Sequence, residues 1–211
     1  MRWLRRLGLP AALAVAAVVG VSLLRGADTP PPPRLPAAGE DAAPSGPLEG
    51  TLAATAGSFV GYRVRETVAG VGLNEAVGRT GRVDGTARIA RGRIVDARFE
   101  TDTRTLRSDE ARRDEALRGR GLETDRYPVA GFVLGPPARI AARFTARGRL
   151  TLHGASRSVR VALRSRRVAN GIDLVGSTPI RFADYGMRPP NVAGVASVRD
   201  HGVMEVRLRL R

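Results

Sequence analysis

Apolar and polar residues alternate with a period of two along most of the chain after Ser58. Strict alternation over several residues is the pattern of a β-strand with one buried and one exposed face. In the stretch that begins at Val60, for example, Tyr62 and Val64 are separated by Arg63. The pattern covers residues 58–65, 82–89, 95–100, 140–144, 150–152, 159–163 and 204–210.

Short turn signals separate several of these segments. Ala90-Arg91-Gly92 and Arg147-Gly148 each predict a turn between two strands, and Asn170-Gly171 is the strongest hairpin signal in the chain. The sequence therefore predicts an all-β domain of about eight antiparallel strands, with one apolar face and one arginine-rich face in water. Because almost no helix is available to cover the apolar face, we expect the sheet to close into a barrel.

The residues on the apolar face decide whether such a barrel is filled or hollow. Eight strands enclose a space that side chains can fill or that can hold one small ligand. Many inward positions carry small residues, such as Ala87 and Ala97, which favours a cavity over a barrel that flattens and fills itself. The predicted cavity-lining residues are Val60, Tyr62, Val64, Ala87, Ile89, Ala97, Phe99, Phe132, Ala142, Phe144, Leu152, Val161, Phe182, Met204 and Val206.

One densely charged segment interrupts the strands, at residues 108–119. Ser108 is a suitable N-cap, Asp109 and Glu110 lie in the first turn, and Gly119 or Gly121 can end a helix. The spacing of acidic and arginine residues favours salt bridges on an exposed helix. We expect a short structural helix in a long crossover between strands, placed over one mouth of the barrel.

Composition excludes several functions. The chain has 211 residues, a net charge of +15 and no cysteine, so disulfides, thiolate metal sites and cysteine nucleophiles are excluded. All 35 of its Lys and Arg residues are arginine, which indicates a general compositional bias rather than a nucleic-acid-binding face, so we predict no nucleic-acid partner.

The N-terminus predicts the location of the domain. Arg2, Arg5 and Arg6 precede an uncharged run over residues 7–24, which is about 27 Å long as a helix and close to the thickness of a bilayer core. We predict a single-pass membrane anchor at residues 1–25 that leaves the domain outside the cytoplasm. The alternative is a cleaved signal peptide and a secreted or periplasmic protein.

A proline- and alanine-rich linker is predicted at residues 26–56, before a domain at residues 57–211. Pro30–Pro33, Pro36, Pro44 and Pro47 lie among small and acidic residues that cannot bury apolar surface. Such a segment is typical of a semi-rigid extended spacer.

Three motifs resemble the YceI-like family over residues 58–211. The segment RRDEALRGRGLETDRYPVAGF (residues 112–132) resembles its helix followed by Tyr-Pro and a strand phenylalanine. GRLTLHGASRSVRVAL (residues 148–163) resembles its Gly-x-Leu-Thr-x-His-Gly hairpin, and IRFADYGM (residues 180–187) resembles its Asp-aromatic-Gly segment. The three motifs occur in the family's order.

The resemblance implies a lipocalin-like barrel that binds a polyisoprenoid or related amphiphilic lipid in an elongated cavity, without catalysis. Ala116 stands where the family commonly has histidine, and Leu122 stands where an aromatic residue is usual. The head-group preference of the family therefore does not carry over to this chain.

Two functions follow as hypotheses. The first is an extracytoplasmic protein that binds an isoprenoid lipid, such as a quinone or a polyprenyl carrier, with no cofactor other than that bound lipid. The alternative is a hydrolase or other enzyme that uses Asp109, Asp114, His153 or Asp184 at the barrel mouth as acid or base. The sequence leaves the oligomeric state open, a dimer included.

The residues themselves favour structural interpretations of these polar groups. His153 and His201 are each solitary, so no metal site is predicted, and His153 in a tight hairpin is expected to bond to backbone. Asp184 and Gly186 are expected to form a turn in which Asp184 accepts from local amides and Gly186 takes a positive φ.

Overall fold

The computed structural model describes residues 29–36, 46–68, 72–189, 191–192 and 196–211. Thirteen β-strands occur in this part of the chain, against the eight expected. The strands are β1 Gly50–Ala53, β2 Phe59–Val68, β3 Gly72–Thr80, β4 Val83–Ala90, β5 Arg93–Asp102, β6 Arg107–Ser108, β7 Val129–Leu134, β8 Ala138–Arg139, β9 Arg143–Leu152, β10 Ala155–Val168, β11 Gly171–Arg181, β12 Asn191–Val192 and β13 Ala196–Leu210.

All thirteen strands belong to one antiparallel sheet, which confirms the all-β class. The order across the sheet is β1-β4-β5-β7-β9-β10-β11-β13-β2-β3-β6, with β8 added beside β5 and β12 beside β13. The strand count exceeds the expected number partly because four of the strands have only two or four residues, too few for a period-two pattern to reveal.

The sheet curls strongly into a half-barrel. Ala53 at the end of β1 exchanges two backbone hydrogen bonds with Arg211, of 2.8 and 3.0 Å, and the amide of Ala54 donates to the carbonyl of Gly85 on β4. The short strand β1 therefore connects β4 to the end of β13. The expected barrel is therefore realised only in part, as a half-barrel whose apolar face lies inside the curl.

Alternation places the core on the inner face of the curl. The main cluster includes Ala87, Ala97, Leu174 and Leu208, and a second cluster at one end includes Leu150, Ile180, Tyr185 and Met187. This burial of one face of each long strand is the largest source of stability in such a sheet.

Two-residue hairpins join neighbouring strands where the sequence has residues that accept a positive φ. Arg91 and Gly92 (φ 51° and 67°) connect β4 to β5, and His153 and Gly154 (φ 51° and 71°) connect β9 to β10. Positive φ at both central residues matches the twist of antiparallel strands. A hairpin is also present between β10 and β11, one residue earlier than predicted: its two loop residues are Ala169 and Asn170, neither with a positive φ, and Gly171 begins β11 opposite Val168.

Two local predictions are wrong. Arg147-Gly148 is no turn but lies in the middle of β9, where Gly148 is opposite Leu134. The alternation over residues 95–100 predicts that Val95 faces inward together with Ala97, but an irregularity in the β4–β5 register makes Ile94 the buried residue instead. One extra residue in a strand reverses the side on which the residues before it lie.

The crossover between β5 and β7 contains the predicted helix, here α1 (Ala111–Gly119), after a 3-10 turn at Thr103–Thr105. Ser108 is not its N-cap. Glu110 holds that position without a side-chain bond, while the Ser108 amide and hydroxyl both donate to Asp114, which is buried. The ion pair between Asp109 and Arg113 is present as expected.

Residues 29–36 have no regular secondary structure, but they lie against the outer face of the sheet. Arg63 and Arg79 donate hydrogen bonds of 2.6 Å to the carbonyl oxygens of Pro30 and Pro31, and Arg166 donates one of 2.7 Å to Pro36. We call residues 29–36 the proline strap. Within the segment predicted as a linker, the proline strap therefore lies on the domain, and residues 50–53 form β1.

The predicted anchor at residues 1–25 lies outside the described residues. The described part of the chain holds no helix with the length and apolar character that crossing a bilayer requires.

Candidate functional site

An apolar cavity of about 260 Å³ lies inside the curled sheet. Nearly all the side chains around it are hydrocarbon or thioether groups, supplied by the long strands and by the crossover. Twelve of the fifteen predicted lining residues border it: Val60, Tyr62, Val64, Ala87, Ala97, Phe99, Phe132, Leu152, Val161, Phe182, Met204 and Val206.

The other three predicted residues do not border the cavity. Ile89 is 1% exposed in the main core cluster, where it is opposite Gly50 of β1. Phe144 packs on the same cluster and borders a groove beside the proline strap. Ala142 is exposed, because β9 begins only at Arg143 and Ala142 lies in the bend before it.

Three glycines keep the cavity open by making room for aromatic rings along the wall. A Cβ added at Gly78 would overlap the ring of Tyr62, and one added at Gly148 would overlap Phe132. A Cβ at Gly85, which has a φ of +145°, would meet the backbone oxygen of Arg98 first and then the backbone and ring of Phe99. Each ring therefore lies over a glycine of a neighbouring strand and takes up less of the enclosed space.

Sequence reasoning missed the lining residues outside the alternating segments. Leu117 of α1, Leu122 after it, Ile180 of β11 and Met187 all border the cavity. Leu117 and Leu122 are apolar positions in the crossover, and this is the signal that could have identified them. The crossover therefore covers one end of the cavity. The sequence predicts this position, over one mouth of the barrel.

Polar groups collect at this covered end. Arg113 of α1 borders the cavity and pairs with Glu66 of β2 at 3.3 Å, and this contact ties the helix to the sheet. The Tyr62 hydroxyl nearby is shielded from solvent and, among the described residues, lies beside the Ser108 side chain without a hydrogen bond of good geometry. Burial raises the pKa of the Tyr62 phenol, and the charge of Arg113 opposes this only in part, so the phenol stays neutral and can act as a donor.

The three sequence motifs meet at one junction beside this end. The rings of Tyr127 and His153 lie 4.2 Å apart, and His153 Nδ1 is 3.0 Å from the carbonyl oxygen of Tyr185. His153 Nε2 is 3.1 Å from a carboxylate oxygen of Glu123, although not in hydrogen-bonding geometry. The expected backbone bond of His153 is confirmed, and the junction fastens the crossover to the β9–β10 hairpin.

The predicted turn at Asp184 differs in its hydrogen bonds. Gly186 has the expected positive φ, of 69°, at the end of a 3-10 turn over Phe182–Tyr185. The carboxylate that accepts from the Ala183 amide, however, belongs to Asp200 and not to Asp184. Asp184 is exposed, and it is not a lining residue of the cavity.

The candidate acid and base residues have separate structural contacts. Asp109 pairs with Arg113, Asp114 accepts from Ser108, and His153 belongs to the motif junction. Among the described residues, no three histidines, cysteines or carboxylates are grouped so that they could hold a metal ion.

A curled antiparallel sheet around an apolar cavity, with a helix-bearing crossover over one end, defines the class of fold. A sequence model of the YceI-like domain matches residues 53–210. The chain belongs to the YceI-like family. No curated protein matches it in sequence.

Solved structures share this fold at low sequence identity. BcnA of Burkholderia cenocepacia is 14% identical, with a TM-score of 0.59 over 73% of this chain and 96% of its own. A polyisoprenoid binding domain from Saccharophagus degradans, implicated in plant cell wall breakdown, is 18% identical, with a TM-score of 0.58 over 78% and 99%. The YCEI protein of Campylobacter jejuni is 14% identical, with a TM-score of 0.51 over 64% and 84%.

Proposed function

We propose that this protein binds a polyisoprenoid or similar amphiphilic lipid, such as a quinone or a polyprenyl carrier, in the cavity of its YceI-like domain. The observation that carries the proposal is the wall of the cavity, which is apolar along its length and polar at the crossover end. An isoprenoid tail would lie against the apolar wall, with its head group toward Arg113 and Glu66.

The energetics suit an apolar tail. Covering about 400 Å² of hydrocarbon contributes roughly 10 kcal/mol before ordering costs, at about 25 cal/mol per Å². Binding of this kind requires no specific arrangement of polar side chains. Met187 and Met204 in the wall have flexible side chains that can adapt to an irregular tail.

The relatives support the same proposal. The structural neighbour from Saccharophagus degradans is a polyisoprenoid binding domain. No geometric observation favours the enzyme alternative, because Asp109, Asp114 and His153 are held in structural contacts away from a shared reaction centre.

Replacing Ala97 by phenylalanine tests the proposal. Ala97 is 4% exposed, faces the cavity and is opposite Ala87, so a ring at this position would occupy the volume of a ligand. Native mass spectrometry of the full chain, extracted from its own membrane, should detect an isoprenoid lipid on the parent and little on Ala97→Phe.

Arg98→Ala is the matched control, since Arg98 is the next residue on β5 and is exposed on the outer face. It should leave the lipid content unchanged. A parent without lipid that also takes up none from isoprenoid-loaded micelles would contradict the proposal. So would an Ala97→Phe variant that folds and retains its lipid.

We also propose that the domain lies outside the cytoplasm, tethered by residues 1–25 or released after their cleavage. Support comes from the three arginines before the uncharged run over residues 7–24. Protease added to cells whose outer envelope has been opened, with the cytoplasmic membrane intact, should then digest the domain, and a domain that survives until lysis of that membrane would overturn this orientation.

A further inference from the structure

The outer face of β9 and β10 carries five arginines in register. Arg147 is directly opposite Arg160, and Arg143 is directly opposite Arg164. Arg149 extends the row on β9, opposite Ser158. All five arginines are exposed. We call them the arginine ladder.

The ladder has no carboxylate partner among the residues that the structure describes. Neither β9 nor β10 contains an acidic residue. Within the described part of the chain, none of the five guanidinium groups takes part in an ion pair. On the flanking strand β7, Val133 is opposite Arg149 and is 43% exposed, and Val129 is 53% exposed. The ladder is thus bordered by exposed apolar side chains.

This arrangement is unfavourable for the protein alone. Like charges directly opposite each other on antiparallel strands repel. Alternate residues of a strand lie about 6.7 Å apart, so the ladder spreads its guanidinium groups over about 20 Å of one sheet face. Guanidinium groups bind phosphate oxygens through paired hydrogen bonds, and a row of phosphates would remove the repulsion.

We propose that the arginine ladder docks the domain on an anionic phospholipid surface, with Val129 and Val133 toward the head-group region. A nucleic acid would offer the same phosphates, but single strands are usually held by bases stacked on aromatic side chains. The exposed residues beside the ladder are valines. This docking does not depend on what the cavity binds.

The test uses the full chain reconstituted in vesicles, so that any anchoring by its N-terminus is the same in every sample. The chain has no cysteine, so Ser158→Cys provides a single dye site on the outer face beside Arg149. Phosphatidylcholine vesicles with a nitroxide-labelled head group, with or without 30% phosphatidylglycerol, report the approach of the dye to the membrane by quenching.

Quenching should be strong only with phosphatidylglycerol and should be relieved by about 0.5 M salt, which shortens the screening length. Arg147→Gln with Arg160→Gln should weaken docking roughly thirtyfold, because each arginine near an anionic surface contributes about a factor of five. Arg88→Gln with Arg118→Gln removes the same charge from exposed positions elsewhere and should have little effect.

Three results would overturn the proposal. Equal quenching in pure phosphatidylcholine would show that the ladder does not bind anionic lipid. Equal weakening by the Arg88 and Arg118 substitutions would show that only the total charge matters. Loss of the quenching on addition of a stoichiometric amount of duplex or single-stranded DNA would identify nucleic acid as the preferred partner.

Discussion

On the outer face of β11 and β13, Asp173 and Glu205 are each 2% exposed and each lie beside two arginines. The arginine ladder on the outer face of β9 and β10 has no carboxylate partner among the described residues. The two regions belong to the same sheet and meet where β10 pairs with β11, at Arg166 of β10, which lies 3.7 Å from Asp173. The proline strap covers the first region, the covered wall. It only borders the second region, the open wall, at a groove that Arg143 and Arg164 share with the strap.

The difference shows that one residue type serves two purposes in this protein. Beside a buried carboxylate, an arginine is fixed, and its remaining donors satisfy carbonyl oxygens of the strap, as Arg63 does for Glu205 and Pro30. Proline carbonyls suit this use, because proline has no amide hydrogen of its own to satisfy. The ladder arginines have no carboxylate partner in the described part of the chain, and their guanidinium groups can bind a partner from outside the protein.

Glu205→Gln should have the largest effect on the covered wall. The Glu205 side chain is 3% exposed and is 2.7 Å from Arg63, so its neutralisation leaves a buried guanidinium with less compensation. We expect a loss of about 3–5 kcal/mol in the free energy of unfolding, measured with urea.

Glu100→Gln is the control for Glu205, because its pair with Arg98 is largely in solvent. Its cost should be below about 1 kcal/mol. If both substitutions cost the same, the covered wall is no more dependent on charge pairing than the rest of the surface.

Asp114→Ala tests whether a buried carboxylate can stabilise the fold without an arginine partner. Asp114 is 8% exposed, and its partners are the amide and hydroxyl of Ser108. The substitution should cost about 2–3 kcal/mol, because a buried donor loses its charged acceptor. The exposed neighbour Glu115 offers the comparison, and Glu115→Ala should cost only a few tenths of a kcal/mol.

A result for Asp114→Ala as small as that for Glu115→Ala would show that the contact with Ser108 contributes nothing. If Asp114→Ala costs as much free energy of unfolding as Glu205→Gln, hydrogen bonds alone stabilise a buried carboxylate as well as arginine pairing does. The distinction between carboxylates with and without an arginine partner would then fail.

Gly78→Ala examines the inner face at the position where Tyr62 covers a glycine. The new Cβ would meet only the Tyr62 ring among its nearest atoms, so the ring would have to move or the wall would be overpacked. We expect a cost of about 1–2 kcal/mol in urea unfolding. In a Tyr62→Val background, the same substitution should be nearly neutral. An equal cost in both backgrounds would show that the ring and the glycine are not coupled.

Sequence patterns predicted the inner face better than the outer one. Period two is a local signal, and it placed Tyr62, Ala97 and Met204 on the cavity wall. It failed at Val95 and Ala142, where an irregular register and a late strand start changed which residue faces inward. Such events depend on the partner strand and leave no mark on the alternation itself.

The covered wall could not be predicted from local sequence. Glu205 alternates with apolar residues on β13 and therefore reads as an exposed position. It is buried because Arg63 and Arg79 reach it while they hold Pro30 and Pro31, more than 170 residues away along the chain. Likewise, the sequence alone does not predict the ladder, because Arg147 and Arg160 become neighbours only through the register of β9 and β10.

Arg160→Gln should have the smallest effect on stability and the opposite sign. On the open wall, Arg160 faces Arg147 directly, so removing one charge relieves repulsion and should raise the free energy of unfolding by about 0.3 kcal/mol at low salt. The gain should disappear at about 1 M salt, where the screening length falls to about 3 Å. Paired urea titrations at the two salt concentrations measure it. A loss of stability at low salt would mean that Arg160 makes a favourable contact within the protein, and the open wall would then resemble the covered one.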